Sequence, residues 1–114
     1  MKRSEINAAI KWSIELLDKN NFKLPRFAYW TMDEWEKNKD KIDTLREVMA
    51  GWDITDFGQG NFQKTGFSLV TIRNGNQKMQ DVYKKPYAEK LLYLDEGQYA
   101  MNHFHWYKME DIIN

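Results

Sequence analysis

An α+β fold is predicted from three observations. Apolar residues recur with a helical period over the first third of the chain, the period shifts toward two after Gly51, and β-forming residues crowd into positions 67–73. At 114 residues the chain amounts to at most one ordinary domain. The reading is therefore a helical arm over residues 1–50 leading into a β-domain over residues 51–114.

The arm opens with Ser4 as expected N-cap, and Ile6, Ile10, Ser13, Ile14 and Leu17 mark one helical face. That stripe is read as packing or as a dimer contact. Asn20-Asn21 ends the helix. Leu24-Pro25-Arg26-Phe27-Ala28-Tyr29 is an extended connection, because a residue before proline avoids the helical region. Thr31 and Glu34, three apart, form a capping box that opens a short helix through Trp35. A further turn or two of helix is expected over residues 42–49, closed by Gly51.

Beyond Gly51, Gly58, Gly60 and Gly66 punctuate a loop-rich stretch around Trp52-Asp53-Ile54-Thr55-Asp56-Phe57. Asp53 and Asp56 there read as loop caps, ahead of an acidic pair. Residues 67–73 alternate and form a strand that ends at Arg73, and Asn74-Gly75-Asn76 starts a longer loop. Residues 87–94 make the next strand, Asp95-Glu96-Gly97 a turn, and residues 101–107 the last strand. Three or four strands cannot close a sandwich or barrel, so unpaired edges are expected. The chain reads as cut inside a domain, soon after Glu110.

Composition excludes several classes of function. Seventeen basic and seventeen acidic side chains cancel, which argues against a nucleic-acid binder. No apolar run approaches the ~20 residues that span a bilayer. The start shows no signal peptide, and the absence of cysteine excludes disulfides and thiolate chemistry. A cytoplasmic protein is the expectation.

The chemistry concentrates near the end, in His103-Phe104-His105-Trp106-Tyr107-Lys108-Met109-Glu110. On a strand, residues two apart face the same side, so both imidazoles would project together. Glu110, returning from the following turn, would supply a third ligand for one divalent cation. Two nitrogens and one hard oxygen suit Mn²⁺, Fe²⁺, Co²⁺ or Zn²⁺ and leave positions open for substrate.

These residues lie within longer blocks that resemble the D-lyxose isomerase family, sugar ketol-isomerases built on a cupin barrel. The blocks are Met1-Lys2-Arg3-Ser4-Glu5-Ile6-Asn7, Leu24-Pro25-Arg26-Phe27-Ala28, Gly51-Trp52-Asp53-Ile54-Thr55-Asp56-Phe57-Gly58, Thr71-Ile72-Arg73-Asn74-Gly75, Pro86-Tyr87-Ala88-Glu89-Lys90, and His103-Phe104-His105-Trp106 with Lys108 and Glu110-Asp111-Ile112-Ile113-Asn114. The resemblance implies part of a double-stranded β-helix, ended after the first cupin motif. It implies Mn²⁺ as cofactor, with Co²⁺ an alternative. The ligands would be three histidines and a glutamate: His103, His105, Glu110, and a histidine beyond Asn114.

The implied reaction interconverts D-lyxose and D-xylulose, with D-mannose and D-fructose a second pair, through an enediol. Lys90, Lys108 and Glu110 are the expected catalytic residues, the lysines as cations for developing charge or as sugar contacts. Tyr107 departs from the polar or basic residue expected at its position. The expected partner is a small-molecule sugar, with no nucleic acid and no membrane, in a homodimer. The rival readings are a non-catalytic fragment that folds by self-association, and another metal-binding cupin.

Overall fold

The computed structural model describes residues 1–113; Asn114, the last residue of the resembling tail, lies outside them. Helix α1 (Arg3–Lys19) begins one residue before the expected Ser4 cap. Its N-cap is Lys2, whose backbone N–H donates to Glu5 Oε2 at 2.5 Å. A carboxylate at the third helical position thus satisfies an orphan amide without a hydroxyl cap. The buried face of α1 is Ala9, Ser13 and Leu17, on the predicted stripe. Ser13 sits in this apolar contact because its Oγ donates back to the Ala9 carbonyl at 2.9 Å.

After α1 the connection expected to be extended over residues 24–29 instead winds into a 3-10 turn at Arg26–Tyr29, and α2 (Met32–Lys37) and α3 (Asp43–Glu47) follow. The α2 capping box is present as read: Glu34 N–H donates to Thr31 Oγ1 at 3.3 Å, and Thr31 N–H donates to Glu34 Oε2 at 2.7 Å.

Three strands follow, β1 (Gly51–Thr55), β2 (Phe67–Arg73) and β3 (Glu89–Tyr93), in an antiparallel sheet of order β1-β2-β3. Two expectations are corrected here. The stretch after Gly51 was expected as loop, but residues 51–55 form β1, paired from Gly51↔Thr71 to Thr55↔Phe67. Its alternation is real but short, and a neighbouring strand completes what five residues cannot signal alone. Residues 101–107 were expected as the last strand but are irregular. Among the described residues, only Tyr99 bridges, in parallel, to Thr65, and no further strand lies beside the segment to take up its backbone hydrogen bonds. The strand expected at residues 87–94 is present in shortened form as β3.

Helical arm and sheet share one core. Leu17, Leu24 and Ala28 pack against Val70 and Tyr93, with Trp12, Phe27, Trp52, Ile72 and Leu91 around them. The Trp52 indole N–H donates to the Ala28 carbonyl at 2.8 Å, tying β1 to the 3-10 turn. Burial pushes the Tyr93 phenol up to about 12, with the neighbouring Tyr29 phenol adding to the shift. Two amides anchor the loop after β2 to α3: Asn74 Nδ2 donates to Val48 O at 3.0 Å and Asn76 Nδ2 to Glu47 O at 2.8 Å. Gly75 lets that loop return, since a Cβ there would lie 1.9 Å from the Lys85 carbonyl oxygen.

The core occupies one side of the sheet. On β2, Ser68 and Val70 face α1 and are fully buried. The opposite side carries Phe67, Leu69 and Thr71 of β2, Asp53 of β1, and Lys90 and Leu92 of β3. Among the described residues no helix covers it, and Leu92 is 47% exposed. The radius of gyration is 15.1 Å, against ~13 Å for a compact domain of about 100 residues. This open face is what positions the residues considered next.

Candidate metal centre

The chemistry-bearing residues are brought together without a strand to carry them. The His103 and His105 rings meet edge-on, with centroids 5.1 Å apart. His103 leans toward the sheet through Phe57, at 6.4 Å, and Phe57 packs edge-on against Phe67 of β2 at 5.5 Å. The histidine pair is thereby seated at the Phe67 end of the open face. Phe57 can turn under the histidines because it adopts a left-handed backbone, φ 54°. Thr55 Oγ1 supports that turn by accepting from Phe57 N–H at 3.0 Å.

His103 Nδ1 lies 2.8 Å from the Met101 carbonyl. A carbonyl only accepts, so Nδ1 carries the proton and Nε2 keeps its lone pair for a ligand. His105 Nε2 lies 3.6 Å from Glu110 Oε1. Lys108 Nζ donates to the same carboxylate oxygen. That hydrogen bond holds the Glu110 carboxyl below its usual range, with the charge of Lys108 acting in the same direction.

Two imidazole nitrogens and a carboxylate oxygen are donor types that a divalent first-row cation would accept. Two ligands ~2.1 Å from one ion at right angles stand ~3 Å apart, close to the His105–Glu110 separation. Among the described residues, no three His, Asp or Glu side chains yet converge at ligand spacing. His103 lies against His105, and His105 near Glu110, on one exposed segment.

Lys90 is placed elsewhere. It lies on β3 opposite Thr71, whereas His103 reaches the sheet through Phe57, which packs on Phe67 four residues from Thr71 along β2, ~13 Å at ~3.3 Å per residue. Tyr107 is fully exposed, and Trp106 is 81% exposed. Of the two aspartates read as loop caps, Asp56 is one, its carboxylate accepting from Gly58 N–H at 2.9 Å and from Gly60 N–H at 3.0 Å, whereas Asp53 lies on β1 opposite Leu69. Phe57 was not singled out as a support for the histidines; its place in the sequence as an aromatic before a glycine gives no sign of that role.

The family model described as D-lyxose isomerase matches residues 1–114. The chain belongs to the D-lyxose isomerase family. A D-lyxose/D-mannose isomerase of Escherichia coli O157:H7 is 37% identical over 115 residues, covering 100% of this chain and 50% of the relative. A protein of the same description from Serratia proteamaculans is 35% identical over 115 residues, with the same coverage. The chain thus spans about half the length of the curated relatives it matches. No helix of the described residues is long and apolar enough to cross a membrane.

Proposed function

We propose that this chain provides the substrate-proximal, cation-binding part of an Mn²⁺-dependent aldose–ketose isomerase acting on D-lyxose and D-xylulose, with D-mannose and D-fructose as a second pair. One observation carries the reading: in a chain matched to this family over its whole length, the two histidines and Glu110 gather on one segment. Co²⁺ is the alternative cation, and a cupin barrel is the architecture that the three strands would enter.

His103 Nε2, His105 and Glu110 would hold the ion, and His103 is already in the tautomer that frees Nε2. Bound there, the cation would supply Lewis acidity to the sugar carbonyl and its neighbouring hydroxyl. Glu110 serves as ligand first, because a carboxyl held below its usual range is a weak base at neutral pH. Lys108, at hydrogen-bond contact with Glu110, brings a positive charge to the place where an enediol would develop negative charge. A second carboxylate would then move the proton between C2 and C1. A cytoplasmic homodimer is the expected setting, and the exposed Phe104, Trp106 and Ile113 offer apolar surface for such a contact.

The test is D-xylulose formation from D-lyxose with Mn²⁺ added and then removed by EDTA. It is run on this chain alone and on the chain mixed with a polypeptide matching the remaining half of the Escherichia coli relative. Cation-dependent turnover in either sample is the expected result. Absence of turnover in both would overturn the proposal.

A further inference from the structure

Where the Arg73 end of β2 meets α3 and the loop returning toward β3, the chain encloses a cavity of about 230 Å³. Its wall is apolar. Leu45 and Val48 come from α3 and its C-cap, Ala50 from the residue before β1, and Ile72 from β2. Val82 and Tyr83 complete the wall on the loop side.

The loop is fastened both to α3 and to itself. Asn74 and Asn76 hold it to the carbonyls of Val48 and Glu47. Within it, the Val82 and Tyr83 N–H groups both donate to the Met79 carbonyl, at 3.1 Å and 2.8 Å, and Asn76 N–H donates to the Tyr83 carbonyl at 3.4 Å. A concavity built from such bonds is formed before any ligand arrives.

The charges around it are of one sign. Arg73, Lys84 and Lys85 line the cavity, and among the described residues no Asp or Glu does. Glu89 takes the Arg73 guanidinium across the bulge between β2 and β3, and on α3 Asp43 is spent on Arg46. Lys84 and Lys85 remain. Among the described residues, neither takes part in an ion pair. Two like charges beside an apolar wall focus a positive potential into the concavity, because the wall screens the field less than water does.

We propose that this cavity binds a small organic monocarboxylate, its carboxylate held by Lys84 and Lys85 and its hydrocarbon body resting on Leu45, Val48 and Ile72. A bare inorganic anion would leave the apolar wall uncovered, and a neutral molecule would leave both ammonium groups without a counterion. An anion with an apolar body answers both, through charge-assisted hydrogen bonds at one end and hydrocarbon removed from water at the other. The volume lies below the ~300–1,000 Å³ of pockets that enclose drug-sized ligands, which suits one ring or a short branched chain and is too small for a peptide segment. None of Lys90, His103, His105, Lys108 and Glu110 lines the cavity, so the site stands independently of the isomerase reading.

The experiment is an amide ¹H–¹⁵N titration of the 114-residue chain with benzoate, benzyl alcohol and inorganic phosphate at constant ionic strength. The expected result is saturable shifts at Leu45, Ile72, Tyr83 and Lys84 with benzoate, and binding weaker by about tenfold or more with the other two. Lys84→Met combined with Lys85→Met should weaken benzoate by a similar factor, the loss of hydrogen bonds to a charged group, whereas arginine at both positions should retain it. Val82 is 65% exposed, so Val82→Asp should leave melting unchanged while its carboxylate abolishes binding. Benzyl alcohol or phosphate binding as tightly as benzoate would overturn the proposal. So would benzoate shifts confined to other residues, unaltered binding in Val82→Asp, or no shift up to the solubility of benzoate with the chain folded. The comparison of the three probes uses the parent chain and decides the matter even where a variant unfolds.

Discussion

Replacing Val70 with alanine and, separately, Leu92 with alanine measures which side of the sheet carries the stability. Val70 is 0% exposed and lies in the cluster with Leu17, Leu24, Ala28 and Tyr93, whereas Leu92 is 47% exposed on the opposite side. Val70→Ala removes two carbons from a closed site. Transfer accounts for ~0.8 kcal/mol per carbon, and a cavity of ~40 Å³ that fails to collapse adds ~1 kcal/mol. The expected cost is ~2–3 kcal/mol, a fall in Tm of ~10 °C for a chain of this size. Leu92→Ala deletes carbons that already touch water and should cost under ~1 kcal/mol. Urea unfolding followed by tryptophan fluorescence reads both, since Trp52 lies beside Tyr93 with ring centroids 6.1 Å apart. Equal losses for the two variants would refute the one-sided core, and with it the open face beside which the histidines are seated.

Mn²⁺ added to the chain should raise its Tm, and His103→Ala or His105→Ala should abolish that rise while leaving the metal-free Tm within ~0.5 kcal/mol of the parent, because both side chains are exposed. Thr31→Ala should cost ~1 kcal/mol by removing the cap of α2, measured as a lower urea midpoint with an unchanged slope. Asp56 is held below its usual range first by the Gly58 N–H, with Gly60 N–H and the Met1 ammonium in support. A group of that kind stabilises above the ordinary carboxyl pKa of ~3.9 and loses its contribution as pH falls through its own lower value. Tm should therefore decline on acidification from about pH 5 toward pH 2, and Asp56→Asn should flatten part of that decline.

The helical arm is legible in the sequence because its signals are local: the α1 stripe, the Asn20-Asn21 stop and the Thr31–Glu34 box each act within a few residues. The strand after Gly51 is hidden because five residues of mixed polarity become a strand only through pairing with β2. The segment at residues 101–107 fails in the other direction: it has the alternation of a strand but no partner. The candidate ligands His103, His105 and Glu110 could be found from spacing and resemblance. Their support on Phe57 could not, since it depends on a left-handed turn and a contact across more than forty residues.

Gly75 carries a consequence for anyone who scores substitutions in bulk. Its role is to let two stretches of backbone cross, and any side chain there would collide with the carbonyl of Lys85. Alanine at this position would push the returning loop off the end of α3 and unfasten the Asn74 and Asn76 amides. A screen read out by turnover would then rank residue 75 beside His103 and His105, although it touches neither sugar nor cation. Pairing each activity score with an abundance score would separate this crossing point from the residues that do chemistry.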